Sequence, residues 1–220
     1  MNDVFHEVDE EVRRDKAVAF FNAHGSKIVG AAIAIVMAVG GWRFYQDRVF
    51  RERAELGARF ESALVEINGG KVEALTALAE QKGGGTYPAL AKFRLASELA
   101  RTAKDDAGVK DAVSAFDALS SDATLPAEWR ELAKIRAAYA MLETAPFEAV
   151  EGRLGPLATP DRAYRNAARE GIALSAYRTG KGDKALDALQ AIILDADAPS
   201  NLRQRAEVLL AVVRAGAKAH

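Results

Sequence analysis

The stretch Ile28–Trp42 (IVGAAIAIVMAVGGW) constrains this chain more than any other, because it is a long run without a charge, fenced by Lys27 and Arg43. Its fifteen residues would make about 22 Å of helix, short of a hydrocarbon core of about 30 Å. The flanks supply the rest. Lys27 and Arg43 can snorkel, and residues 24–45 span about 33 Å as a helix. Phe20, Phe21, Trp42, Phe44 and Tyr45 stand at the two ends, where aromatic belts form at membrane interfaces. Three readings compete: a buried core helix, a cleavable leader ending near Ala38-Val39-Gly40, and a permanent anchor. The run is apolar all round and has no amphipathic partner before it, which disfavours a core helix. A leader would need an acidic n-region of 27 residues, which disfavours cleavage. The anchor is the expectation. Its six Ile or Val residues favour insertion by about 2–4 kcal/mol.

The segments on either side differ. Residues 1–23 form an acidic tail with Asp3, Glu7, Asp9, Glu10, Glu11 and Asp15. Val4, Val8 and Val12 give it a weak helical stripe, and termini of this kind fray unless tied down. Flanking cations do not decide orientation. Arg13, Arg14, Lys16 and Lys27 precede the run; Arg43, Arg48, Arg51, Arg53 and Arg59 follow it.

Beyond the run, residues 46–220 read as helix throughout, with no strand-like alternation. Tyr45, Val49, Leu56, Phe60, Leu64 and Ile67 extend a helix to Asn68-Gly69-Gly70, a C-cap signal. Val72, Leu75, Leu78 and Ala79 mark a second helix, and Gly83-Gly84-Gly85 breaks the chain. Then a repeat emerges. Leu90–Ala96 (LAKFRLA) is echoed 42 residues later by Leu132–Ala138 (LAKIRAA). Each echo opens a helix and is followed by a second amphipathic one, around Val113, Phe116 and Leu119, then around Phe147, Val150 and Leu154. A third pair runs over residues 167–177 and 185–193. Pro126, Pro146, Pro160 and Pro199 fall at the joints, where a missing N–H does no harm. A last helix over 202–213 suits a cap, with Arg203, Gln204, Glu207 and Arg214 for water to meet.

Helical hairpins 35 to 42 residues apart predict an all-α chain: one N-terminal transmembrane helix, then an α-solenoid with a C-terminal capping helix. With Ala173 and Ala185 as small residues and Pro199 as terminal proline, the third pair resembles a tetratricopeptide repeat, which makes the expected solenoid tetratricopeptide-repeat-like, although Lys92, Lys134 and Arg169 stand where that consensus has a large aromatic.

Chemistry is sparse. There is no cysteine, which removes disulfides, thiolate catalysis and Cys-ligated metals. The three histidines, His6, His24 and His220, lie outside the repeats, so no Ser–His or His–metal cluster can be built there. Gly69-Gly70-Lys71 and Gly180-Lys181-Gly182 lack the strand, spacing and Ser/Thr of a phosphate loop. Asp105-Asp106 reads as a solvated turn. The net charge of −1 argues against nucleic acid. The expectation is a non-enzyme without cofactor, metal or small-molecule substrate, whose work is to bind protein.

Aligning Ala96, Ala138 and Ala173 places Phe93 and Ser97, then Ile135, Tyr139 and Leu142, then Leu174 and Tyr177 along a groove. The same positions can be core, which is the reading the pattern favours, and both stay open at this stage. Arg94 and Arg136 recur as well and read as a solvated face. Within the anchor, Gly30, Ala34 and Ala38 have the small-xxx-small spacing that seats a partner helix.

An acidic tail, a single anchor containing Gly41-Trp42-Arg43-Phe44-Tyr45-Gln46, a long first helix and degenerate repeats with Gly182-Asp183-Lys184-Ala185 resemble the YfgM-type family of ancillary Sec translocon subunits. The resemblance implies a single-pass protein of the bacterial inner membrane with a cytoplasmic N-terminus and a periplasmic repeat domain. It implies translocon subunits, a membrane-anchored peptidyl-prolyl-isomerase-like chaperone and exported clients as partners. The alternative is a membrane-tethered scaffold whose repeats face the cytoplasm.

Overall fold

The computed structural model describes residues 3–81 and 85–217; Gly83 and Gly84 of the expected glycine break, Met1 and Asn2 of the tail, and His220 lie outside the described residues. Every regular element among the described residues is helical. They are α1 (Asp3–Asn68), α2 (Glu73–Ala79), α3 (Thr86–Thr102), α4 (Asp106–Ser121), α5 (Ala127–Ala140), α6 (Phe147–Leu154) with a 3-10 turn at Gly155–Leu157, α7 (Arg165–Arg178), α8 (Gly182–Ile193) and α9 (Ser200–Ala217). The echoed segments sit about one turn inside α3 and α5 rather than opening them.

The chain divides into two units, Met1–Ala58 and Arg59–His220. The first consists of α1 as far as the boundary, and it takes in the acidic segment from Asp3. From His24 on, α1 carries one stretch long and apolar enough to cross a membrane, with none of its best window buried. Ile33, Val36, Phe44 and Phe50 all stand exposed, Met37 at 72%.

In the second unit, local chemistry sets the helix ends. The last turn of α1 closes as the glycines predict: Gly70 N–H donates to the Ile67 carbonyl (2.9 Å) and Lys71 N–H to the Glu66 carbonyl (3.1 Å). That pairing needs a left-handed residue, and Gly70 supplies it at φ +82°. Gly180, at φ +75°, ends α7 in the same way. Asp105 caps α4 by accepting from Gly108 N–H at 2.8 Å, so the Asp105-Asp106 pair is indeed turn chemistry. Pro126 and Pro146 occupy the N-cap positions of α5 and α6.

From α2 onward each helix packs on its neighbour in the chain, and α3, α5, α7 and α9 also touch in succession. The core is a series of small clusters. One gathers Ala96, Phe116, Leu119, Ala133 and Ala137 from α3, α4 and α5. The next brings Ile135, Ala138, Val150, Leu154, Leu157 and Ala168 together from α5, α6, the 3-10 turn and α7. The third draws on α7, α8 and α9, around Ala173, Ala185, Leu189, Ile192 and Ala206. Ala96, Ala138 and Ala173 are all buried, as their alignment requires. The outer face of α9 is mixed rather than polar, since Val208 and Val212 are exposed beside Glu207 and Arg214.

A polar clamp joins the last three helices. Asp195, just after α8, receives Arg165 through both oxygens (2.6 and 2.9 Å), Arg169 Nη1 at 2.9 Å and Asn166 Nδ2 at 3.1 Å. Its backbone carbonyl accepts from Arg203 Nη2 of α9 at 3.0 Å. Arg169 therefore has a definite task where the repeat consensus carries an aromatic. The Asp195 side chain is only 11% exposed. Hydrogen bonding from the Arg165 guanidinium holds its carboxyl far below the usual range, against the opposing effect of burial. Such a group adds stability above the unfolded carboxylate pKa of about 3.9 and loses it as pH falls toward the lower native value. Asp195→Asn should accordingly lower the melting temperature at pH 7 by several degrees. The gap from wild type should close as thermal melts are taken from pH 5 down toward pH 2. No gap at pH 7 would show the clamp to be dispensable, and a gap that does not change with pH would show that its contribution does not come from the ionised carboxylate.

Candidate functional site

Three helices of the second unit each present one stripe to a common trough of about 660 Å³. The end of α1 contributes Phe60, Leu64 and Asn68, at i, i+4 and i+8. From α3 come Leu90, Phe93, Arg94 and Ser97, and from α5 Trp129, Leu132 and Arg136, again at helical spacing. The aromatic wall is fastened from behind. Phe93 meets the edge of Trp129 with ring centres 6.0 Å apart and lies 6.4 Å from Phe116 in the core. Phe60 packs on Tyr87 at 5.9 Å. These are ordinary aromatic contacts, each worth about 0.5–1.5 kcal/mol beyond area burial, and they hold the walls in place.

The polar inventory is short and one-sided. Ser97 spends its hydroxyl proton on the Phe93 carbonyl at 2.8 Å. Arg94 and Arg136 are the charged residues of the lining, and no acid accompanies them. Glu98, one turn beyond Arg94, is bonded to Arg101 and feels Arg94 only through space. Arg94 Nε is enclosed with no hydrogen-bond partner among the described residues. The trough can thus hold an apolar surface beside two uncompensated cations.

Of the six groove residues expected from sequence, only Phe93 lines this trough; Ser97, at the same register, lines it too. Ile135, at 4% exposure, is inside the core cluster with residues of α6 and α7. Leu142 and Tyr139 pack on the same cluster. Leu174 (36%) and Tyr177 (45%) are exposed on α7, away from the trough. Gly30, Ala34 and Ala38 are exposed on α1, and a Cβ at Gly30 would meet nothing within 4 Å.

Tyr139 explains why the trough stops at α5. Gly171 of α7 stands 35 residues after Arg136, where the next arginine would fall. A Cβ there would lie 2.6 Å from Leu154 Cδ1 and 3.0 Å from the Tyr139 ring. The missing side chain admits the ring, which fills the space between helices. Its hydroxyl shares one proton between the Ala167 carbonyl (2.9 Å) and a Glu170 oxygen (3.2 Å), and Glu170 in turn receives Arg205 of α9. Burial, then the Glu170 charge, pushes the phenol well above its usual range.

Trp129, Leu132, Leu90, Phe60 and Leu64 escaped the sequence reading as site residues, and the two arginines were assigned to a solvated face. A signal for them existed. Leu90, Arg94 and the aromatic Tyr87 recur at the 42-residue offset as Leu132, Arg136 and Trp129.

Comparison with known proteins agrees with the helical architecture. A family model described as a tetratricopeptide repeat-like domain matches residues 18–204, and the chain belongs to that family. No curated protein matches the chain. No solved structure matches it. Domains of this kind are typically non-catalytic protein-interaction modules.

The two tyrosines offer a direct check of these placements. Tyr139→Ala removes a half-buried ring and should cost about 2–4 kcal/mol, whereas exposed Tyr177→Ala should stay within about 0.5 kcal/mol. Gly171→Ala should destabilise by about 1–2 kcal/mol, overpacking outweighing the gain in helix propensity. Thermal melts followed by circular dichroism measure all three. Equal melting temperatures for the two tyrosine variants would contradict the assignment of Tyr139 to packing.

Proposed function

We propose that this tetratricopeptide repeat-like protein is a membrane-anchored, non-catalytic adaptor that holds a partner protein beside the Sec translocon, with residues 24–45 as the anchor. The observation that carries the reading is the apolar stretch of α1, which no part of the described chain covers, in the same helix that supplies a wall of the trough. Exposed apolar surface on that scale needs lipid or protein to cover it. The family match begins at residue 18, so the stretch belongs to the matched region and is no appendage to it. Tethering confines a weakly binding domain to the plane of its partner and raises its effective concentration there, so modest groove affinity suffices. Gly30, Ala34 and Ala38 would seat a partner's transmembrane helix. The YfgM-type resemblance supplies the setting: repeats in the periplasm, working with translocon subunits, a peptidyl-prolyl-isomerase-like membrane chaperone and exported clients.

A second reading has its own support. Five arginines (Arg43, Arg48, Arg51, Arg53 and Arg59) follow the stretch against four cations before it, and that excess of one leans toward a cytoplasmic C-terminal flank. On that reading the domain is a cytoplasm-facing scaffold.

Both parts are testable. Replacing Ile33 and Val36 with Arg should release the protein from membranes or lead to its degradation, because each charge costs about 2.5–3.5 kcal/mol at the bilayer centre. Full retention of the double variant in the membrane fraction would mean that another element anchors the chain. Since the chain has no cysteine and Ser200 is exposed, Ser200→Cys offers a single thiol. Labelling of intact cells by a membrane-impermeant reagent supports the exported domain; protection until lysis selects the scaffold.

A further inference from the structure

The geometry points to the trough as the seat of an amphipathic helix from a partner protein, with an apolar stripe flanked by carboxylates. The inference rests on the protein-binding reading and narrows it to a partner chemistry. Three observations lead there. First, the floor is apolar and rigidly held, with Trp129 and Phe93 edge to face and Phe93 tied back to Phe116. Second, the trough is walled by helices, whose backbone N–H and C=O groups are occupied within their own turns. It has no open strand edge, and Ser97 is already committed to Phe93. An extended peptide would find no main-chain partners and would bring its own polar backbone into an apolar site unsatisfied. A helix satisfies its backbone internally and lays a stripe of i, i+3/i+4, i+7 side chains into such a groove. Third, both charged lining residues are arginines, one on α3 and one on α5, and neither has a hydrogen-bond or ion-pair partner among the described residues. Complementary carboxylates beside the apolar stripe would answer them, through charge-assisted bonds that Arg geometry favours. The walls repeat one another. Leu90 and Arg94 stand four residues apart, as do Leu132 and Arg136, so each helix offers the same apolar–cation step to the incoming stripe.

The test uses the full chain in zwitterionic lipid nanodiscs, with empty discs as blank, and three labelled synthetic peptides. The first is a helix with a Leu stripe at i, i+3/i+4, i+7 and Glu on both flanks. The second carries Lys in place of Glu. The third is a scramble of the first that keeps its composition but has no stripe. Fluorescence anisotropy should show saturable binding of the Glu peptide, with the Lys peptide and the scramble at least about tenfold weaker. Arg136 is exposed, so Arg136→Glu should leave the melting curve unchanged while weakening the Glu peptide about tenfold and narrowing the preference over Lys. Arg94→Gln provides a second variant with loss in the same direction. Equal binding of the Glu and Lys peptides overturns the charge assignment, and equal binding of the scramble overturns the helix. Self-association of the chain that the Glu peptide does not compete would make a second copy the occupant and likewise overturn the proposal. Failure here is separable from failure of the adaptor reading. If Arg136→Glu keeps the membrane partners that wild type brings down after gentle solubilisation, and the Glu peptide does not bind, the inference falls and the adaptor stands. If wild type itself is absent from membranes and brings down no such partner, the adaptor reading falls.

Discussion

Close approach of successive helices through alanine is the constraint on which the helical unit rests. Ala91, Ala96, Ala112, Ala133, Ala137, Ala138, Ala168, Ala173, Ala176 and Ala185 are all essentially inaccessible, and most of them lie between one helix and the next. A small side chain at a crossing lets axes come toward the near end of the usual 8–10 Å range. Each of the three clusters described above draws on at least three successive helices, so none of those helices buries its apolar face alone. Stability in such a stack is a sum of neighbour contacts. The final helix shows the consequence: Ala206 and Val213 are covered by the helices before α9, while Val208 and Val212 have nothing after them among the described residues.

Arginine has two fates within this framework, set by whether a carboxylate is in reach. Arg165 and Arg169 converge on Asp195 and lock α7 to the turn that leads into α9. Arg94 and Arg136 line the trough beside apolar and aromatic residues, with no acid in the lining and Glu98 reaching Arg94 only through space. The first pair belongs to the architecture. The second places two cations, neither in a direct ion pair among the described residues, on a trough whose walls are held by ring contacts. Gly171 and Tyr139 divide the two regimes. Where the third arginine would fall, a missing Cβ lets a ring close the gap, and the trough ends.

Much of the fold was legible from residue pattern alone: helices throughout, the long first helix and its Asn68-Gly69-Gly70 ending, the prolines at joints, and the equivalence of Ala96, Ala138 and Ala173. These follow from period, capping and breaker chemistry, which act over a few residues and are written locally. The candidate site was less so. Phe93 and Ile135 occupy the same place in the echoed segment, yet Phe93 lines the trough and Ile135 fills a core cluster. Tyr139 and Tyr177 both read as groove tyrosines, and only Tyr177 is exposed.

Periodicity states that a side chain belongs to a stripe, and the sequence by itself settled that for nearly every helix here. It does not state which neighbour covers the stripe. Coverage depends on a residue far along the chain, such as Gly171 making room for Tyr139, or the end of α1 supplying Phe60 and Leu64 as a third wall. The apolar stretch of α1 and the absence of cysteine were determined by sequence, because composition alone decides them. The division of the remaining apolar and cationic side chains between core, clamp and trough was decided only by tertiary packing, because burial is a property of pairs of helices and not of one.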